Sequence, residues 1–448
     1  MEFFRAQGAD RMALSDAGVA HGFPGSVSAS LRSGGVTYKP LSRDQRVRES
    51  AFLCFSDSHS HSFVHTLTAR EWKKFLHWLD VSGLALYFLD RLAQTGHRGS
   101  LPGSVVNRLE RSLEENRQRT RGLIEESIRL QRGFQSAEIP YAVMKGVSLH
   151  PVSVPRLELR HQFDLDFLIS ETQAAAARQI LEHHGYSLFA ISGRSWEFKK
   201  GQTPRVAAKD LYRDLPYRGV ELHLEINTLG VPTRLQRAVS VEIQGAMMPV
   251  LSPVDLFLGQ AMHASKDISG PFLRASHLLE FYRHVFARRD DIPFWEELRL
   301  RACEDRRACL AIGMVTYLVT SILGDFAPQE LTSWTVEHLP QPIQLWLDLY
   351  GRAAIFQVPP GSKRYLRLRQ ELEAAGGASH GSSKLSLLSF SLPRVVIQAT
   401  PGETLSTRAA RYRVQIRFLA SRLRFHSLES LRFVIESRRW HQLRRNLS

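Results

Sequence analysis

The run Phe163-Asp164-Leu165-Asp166-Phe167-Leu168-Ile169 constrains this chain more than any other segment. It begins by alternating apolar and acidic residues, and period-two alternation reads as a strand. Side chains at i and i+2 share one face of a strand. Asp164 and Asp166 therefore point one way, while Phe163, Leu165, Phe167 and Ile169 point into a core. Two carboxylates side by side repel each other, and the arrangement is costly unless a cation lies between them. A hard divalent ion such as Mg²⁺, or Mn²⁺ in its place, takes oxygen ligands and keeps water positions for phosphate oxygens. Two such ions roughly 3.5–4 Å apart activate a hydroxyl and stabilise a leaving pyrophosphate.

A third carboxylate is offered by Val220 to Ile226, which alternates strictly. Val220, Leu222, Leu224 and Ile226 form its apolar face; Glu221, His223 and Glu225 form the other. If this strand lies beside the Asp164 strand, one glutamate meets the aspartates across the sheet. Glu221 is the first choice because it starts the alternation nearest the expected catalytic end. Glu225 and His223 are held in reserve. The short apolar run Ile139 to Met144 reads as a strand that stops at Lys145-Gly146-Val147-Ser148. A glycine there lets backbone N–H groups approach an anion, with Lys145 adding charge and Ser148 a hydroxyl. Arg160, four residues before Asp164, is a further cation for a triphosphate. Each piece also has an ordinary meaning. A lone Asp-x-Asp is often a surface turn, Lys-Gly a strand-to-helix turn, and the glutamates the wet face of an edge strand.

Around this centre the pattern is helical. Residues 1–45 are rich in Gly, Ser, Arg and Asp, without lasting periodicity, and poor order is expected. A helical region, 46–137, includes a capping box at Thr68-Ala69-Arg70-Glu71 and a long amphipathic helix from Leu101 to Phe134. Residues 138–250 read as the α/β core, with a helix from Glu171 to His184 closed by Gly185. Residues 251–350 read as a helical domain that starts at Ser252-Pro253. His263, Lys266 and His277 fall on these later helices, where they either touch a ligand or form a polar helix face. Residues 351–390, with Gly361 and the Gly376 to Ser383 stretch, read as linker-rich. The expected class is α+β: a small mixed sheet with helices on one side, flanked by N- and C-terminal helical regions.

The formal charge is +15, and it is uneven. Ser391 to Ser448 contains twelve Arg, three Glu and no Lys or Asp, or +9 of that total. Such a helical tail suits nucleic acid, an anionic membrane or an acidic partner, and equally a helix pair with a solvated basic face. Phe418, Leu419, Leu423, Phe425, Leu428, Leu431, Val434 and Ile435 are its expected buried side. Three cysteines with no CxxC pair argue against a disulfide framework or zinc cluster and fit a reducing cytoplasm. The apolar run Cys309 to Gly324 is short for a membrane span and is expected to be a core helix.

Taken in order, Val143-Met144-Lys145-Gly146, Arg160, Asp164-Leu165-Asp166-Phe167-Leu168-Ile169, Gly185-Tyr186 and Val220-Glu221-Leu222-His223 resemble the uncharacterised bacterial nucleotidyltransferase family of the polymerase-beta-like superfamily. The resemblance is strongest over residues 138–250 and extends loosely over 75–350. It implies metal ligation by Asp164 and Asp166, with Glu221 as third carboxylate, and phosphate contact by Gly146 and Ser148. It implies transfer of a nucleoside monophosphate from an NTP, ATP first among them, to an unidentified acceptor with Mg²⁺. The chain departs from the superfamily pattern where Val147 separates Gly146 from Ser148, and where Glu stands for the commoner Asp. These departures keep open an inactive nucleotide-binding or regulatory module of the same fold. The basic tail keeps open a nucleic-acid-binding protein.

Overall fold

The computed structural model describes residues 40–56, 62–201, 211–227, 232–376 and 404–446. Four helices come first: α1 (Arg43–Leu53), α2 (Ala69–Val81), α3 (Ala85–Gln94) and α4 (Gly103–Ser136). Capping boxes start α1 (Ser42 with Gln45) and α2 (Thr68 with Glu71), each satisfying two backbone N–H groups. α1 thus begins inside the segment expected to lack order; residues 1–39 lie outside the described ones. α4 serves two cores. Val105 and Leu109 face the helical core, and Leu123, Ile124, Leu130 and Phe134 cover the sheet.

The sheet contains β1 (Tyr141–Met144), β2 (Asp164–Ser170), β3 (Ser187–Ser192), β4 (Ser195–Lys200), β5 (Arg218–Glu225), β6 (Val239–Ile243) and β7 (Ala246–Val250); α5 (Ala174–His183) follows β2. Its order is β3-β4-β5-β2-β1-β7-β6. β2 is parallel to β5 and β1 to β7, and the other neighbours are antiparallel. The class is α+β with a mixed sheet, as expected. The seven strands exceed the small sheet read from sequence because of two hairpins, β3–β4 and β6–β7. Each turns through two residues, Gly193-Arg194 and Gln244-Gly245. The second pair sits at φ 50° and 79°, the backbone that joins twisted antiparallel strands.

Leu165, Phe167 and Ile169 of β2 and Val220, Leu222 and Leu224 of β5 line one face under α4 and α5. On the opposite face Ala142, Met144 and Leu168 meet Leu251 and Leu256. The centre of the sheet is therefore covered on both sides rather than one. Leu256 belongs to α6 (Pro253–Ile268), which Ser252 caps with Pro253 in its first turn. α7 (Ala275–Ala287), α8 (Ile292–Cys303) and α9 (Arg306–Leu323) follow. α9 is apolar and long enough to cross a bilayer, but Leu310, Ile312, Met314, Val315, Leu318 and Val319 bury it in the helical core.

Short helices α10 (Gln329–Thr332), α11 (Gln341–Trp346) and α12 (Arg352–Ile355) lead to α13 (Tyr365–Ala374). The span read as linker is thus partly helical. Gly361 closes a tight approach where a Cβ would collide with the Pro271 carbonyl. Residues 377–383 of the second linker stretch lie outside the described residues. α14 (Leu405–Arg445) is one helix of 41 residues, not a helix pair. Its expected buried side is a correction: Phe418, Leu419, Leu423, Leu428, Leu431, Val434 and Ile435 are exposed, and Phe425 is half-buried. The residues it buries are Glu429 and Trp440, because among the described residues its C-terminal half alone lies against the body.

Candidate active site

Sheet register positions the acidic residues. In the parallel pair β2–β5, Asp166 stands opposite Glu221 and Asp164 opposite Gly219. In the antiparallel pair β1–β2, Met144 stands opposite Asp166, so the chain leaves β1 at Lys145 beside the carboxylates. Lys145 Nζ donates to Asp166 Oδ1 at 2.8 Å and lies 3.9 Å from Glu221 Oε2. His223 Nε2 lies 3.0 Å from Asp166 Oδ1 and 3.4 Å from Glu221 Oε2. Ser195 of β4 donates to Glu221 Oε1. The ligating atoms of Asp166, Glu221 and His223 all lie within 4.8 Å of one another. Asp164 opens onto the adjoining cavity and makes no ion pair among the described residues.

The charges are mutually adjusted. Surrounding protein and then the Asp166 charge push the Asp164 carboxyl up. Glu221 is held well below the usual carboxylate range, chiefly by its hydrogen bond with His223, against the cost of burial. Burial alone would lower His223 and Lys145. The bonds to Asp166 and Glu221 outweigh it for His223, and the Asp166 charge and hydrogen bond do so for Lys145; both are raised. The Lys145 ammonium offsets part of the acidic charge, and the same carboxylates favour the protonated form of His223.

The Lys-Gly turn has an unusual backbone. Lys145 sits at φ 53°, ψ −160°, a conformation that costs an L-residue about 1–3 kcal/mol. Gly146 follows at φ 49°, where a Cβ would collide with the Gln162 carboxamide oxygen. The turn lines the cavity, which has a volume of about 420 Å³, within the range of small-ligand sites. Its floor is the strand residues; its wall is His263, Lys266, Arg274 and His277 on and between α6 and α7. Lys266 makes no ion pair among the described residues and is exposed. Burial and then neighbouring positive charge hold His277 at about 3; burial and then His277 hold His263 at about 3, so both rings are neutral.

Other expected residues fall elsewhere. Ser148 is buried, donates its hydroxyl to the Lys145 carbonyl at 2.7 Å and does not line the cavity. Arg160 reaches the cavity wall but is committed to Glu280, with Nε 3.2 and 3.3 Å from the two carboxylate oxygens. Glu225 lies at the far end of β5 opposite Ser170. It accepts from the backbone N–H groups of Arg234 and Leu235 and from the Arg234 side chain. It organises that loop and lies outside the acidic cluster. Ser195, Gln162 and Arg274 were not anticipated. Ser195 was hidden because β4 was not recognised, and Gln162 and Arg274 carry no spacing signal.

An acidic sheet end beneath a basic helical wall, joined by a lysine-glycine turn, is the site of a phosphate-handling enzyme rather than of an apolar-ligand binder. Comparison with known families narrows that class. Residues 68–324 match the family described as uncharacterised nucleotidyltransferase, more than half of the chain, and the chain belongs to that family. It is accordingly an enzyme with nucleotidyltransferase activity. No curated protein is significantly similar to it. The matched span runs from the cap of α2 to the end of α9 and includes every residue of the acidic cluster.

Proposed function

We propose that the chain is a metal-dependent nucleotidyltransferase of the polymerase-beta-like kind. It moves a nucleoside monophosphate from an NTP, with ATP the first candidate, to an acceptor hydroxyl and releases pyrophosphate. The observation that carries this reading is the register that sets Glu221 opposite Asp166, with Asp164 two residues earlier on the same strand. Crowded, oxygen-rich and open to a cavity, this donor set suits a hard divalent ion. Asp164, Asp166 and Glu221 would hold Mg²⁺ or Mn²⁺, which when bound lowers the pKa of an attacking hydroxyl and neutralises phosphate charge.

The remaining residues have separate tasks. His223 and Ser195 fix the Glu221 carboxylate and, through His223, Asp166. Lys145 exchanges its contact with Asp166 for a phosphate oxygen as the NTP enters. Gly146 lets the backbone come close to that phosphate. Lys266 faces the floor from α6 and takes the outer phosphates. Arg160, held by Glu280, contributes positive potential and shapes the wall without changing partners. Ser148 has no part in this arrangement.

The test is transfer of label from α-labelled ATP with Mg²⁺ and pooled acceptors, together with pyrophosphate release. Wild-type protein transfers label and Asp164→Ala does not; equal activity in the variant refutes the assignment. The inward-turned Ser148 is the one observation that favours a nucleotide-binding module instead. Calorimetric ATP binding without turnover across all acceptors would decide for that module.

A further inference from the structure

A second feature of the molecule is independent of the catalytic reading. Along α14, Leu405, Ala409, Tyr412, Ile416, Leu419 and Leu423 recur at alternating spacings of four and three. That is the 3.5-residue period of a helix that packs along a second helix. All six are exposed, with Leu405 at 80%, Ile416 at 63% and Leu423 at 70%. Extending the same spacing reaches His426, Ser430, Phe433, Ser437 and Trp440. There the seam is covered by the body. Lys363 donates to Ser430 Oγ at 2.8 Å, Arg367 lies over the Phe433 ring at 4.6 Å and bonds to Ser437, and Trp440 is fully buried. One continuous seam is therefore occupied along its C-terminal half and, among the described residues, bare along its N-terminal half.

The bordering charge identifies what would cover the bare half. Between Thr404 and Leu428 there are six Arg and no Asp or Glu. Arg413 and Arg422 flank the seam directly, at the positions that set partner choice between paired helices. A second copy of α14 would bring like charges together in either orientation. A bilayer would require an apolar face wider than this seam, which arginines border on both sides. We propose that the N-terminal half of α14 is a docking surface for an acidic amphipathic helix of a partner protein. That helix would fill the seam with its apolar stripe and pair flanking carboxylates with Arg413 and Arg422.

The probe is a synthetic four-heptad peptide with Ile and Leu along its stripe and Glu at the flanking positions. A matched peptide carries Lys there. Binding to the full chain is measured by fluorescence anisotropy at 0.15 M salt (roughly an 8 Å screening length). The acidic peptide should bind at least about tenfold more tightly than the basic one. The pair Ile416→Glu and Leu423→Glu should abolish binding, and Arg413→Glu with Arg422→Glu should reverse the preference. Arg413, Ile416 and Leu423 are exposed and Arg422 is half-buried on the helix surface, so circular dichroism and the melting temperature should be unchanged. Equal binding of both peptides, or unchanged binding by the seam variant, overturns the proposal. So does a wild-type dimer in sedimentation equilibrium that the seam variant dissociates. Capture by anionic phosphatidylglycerol vesicles in preference to the acidic peptide also overturns it.

Discussion

Asp164→Asn should stabilise the metal-free protein while removing its activity. Asn preserves the shape of Asp and deletes one negative charge. Residues i and i+2 on a strand lie about 6.6 Å apart, and two unit charges at that separation repel by roughly 2.5 kcal/mol at an effective dielectric of 20. Lys145 beside Asp166 offsets part of this, and water in the cavity screens more. The net relief is about 1 kcal/mol. Calorimetry in EDTA should show the variant melting about 1–3 °C above wild type. Mg²⁺ should raise the melting temperature of wild type more than that of the variant, because a tighter ligand stabilises the folded state more at a given concentration. Losing one metal ligand should reduce turnover about a thousandfold, equivalent to ~4 kcal/mol of transition-state stabilisation. A variant that melts below wild type, or retains more than about a tenth of the Mg²⁺-dependent turnover, refutes the electrostatic argument.

Three further outcomes follow from other parts of the molecule. Gly146→Ala places a Cβ against Gln162 at positive φ and should cost about 1–3 kcal/mol of stability, with a large rise in KM for NTP, measured by denaturant titration and steady-state kinetics. Burial pushes the Cys54 thiol up to about 12, so native protein at pH 8 should label at exposed Cys303 with a thiol reagent and leave Cys54 unmodified until unfolding, as read by peptide mass spectrometry. His223 is raised by Asp166 and Glu221, so in metal-free protein its stabilisation is complete below its unfolded pKa and lost as pH rises through the higher folded value. A charged His223 beside Asp166 and Glu221 opposes a bound cation, so Mn²⁺ affinity should rise as pH climbs through the raised His223 value, and His223→Gln should flatten the dependence.

Residues Asp164, Asp166 and Glu221 were legible because strand alternation is local: two-residue periodicity fixes which side chains share a face before any partner is known. Pairing of β2 with β5 followed from a single assumption of adjacency, and the observed register makes Glu221, not Glu225, the neighbour of Asp166. His223, held in reserve beside Glu225, bonds to both Asp166 and Glu221; its face assignment alone carries no information about the depth of the site. The hairpins β3–β4 and β6–β7 escaped notice because their strands are short and half-exposed. The basic wall of Lys266 and Arg274 depends on how α6 and α7 lie over the sheet, which is a tertiary fact. The face of α14 was misjudged for a related reason. Apolar residues on an arginine-rich helix imply burial only if something lies there to cover them, and over its N-terminal half nothing among the described residues does.

Counting bound Mn²⁺ by electron paramagnetic resonance, in the presence of a non-hydrolysable ATP analogue, tests the central claim without knowledge of the acceptor. The carboxylate cluster predicts two Mn²⁺ per wild-type chain, loss of at least one in Glu221→Gln, and wild-type binding in Glu225→Gln. Wild-type binding by Glu221→Gln, or loss of Mn²⁺ in Glu225→Gln alone, would contradict it.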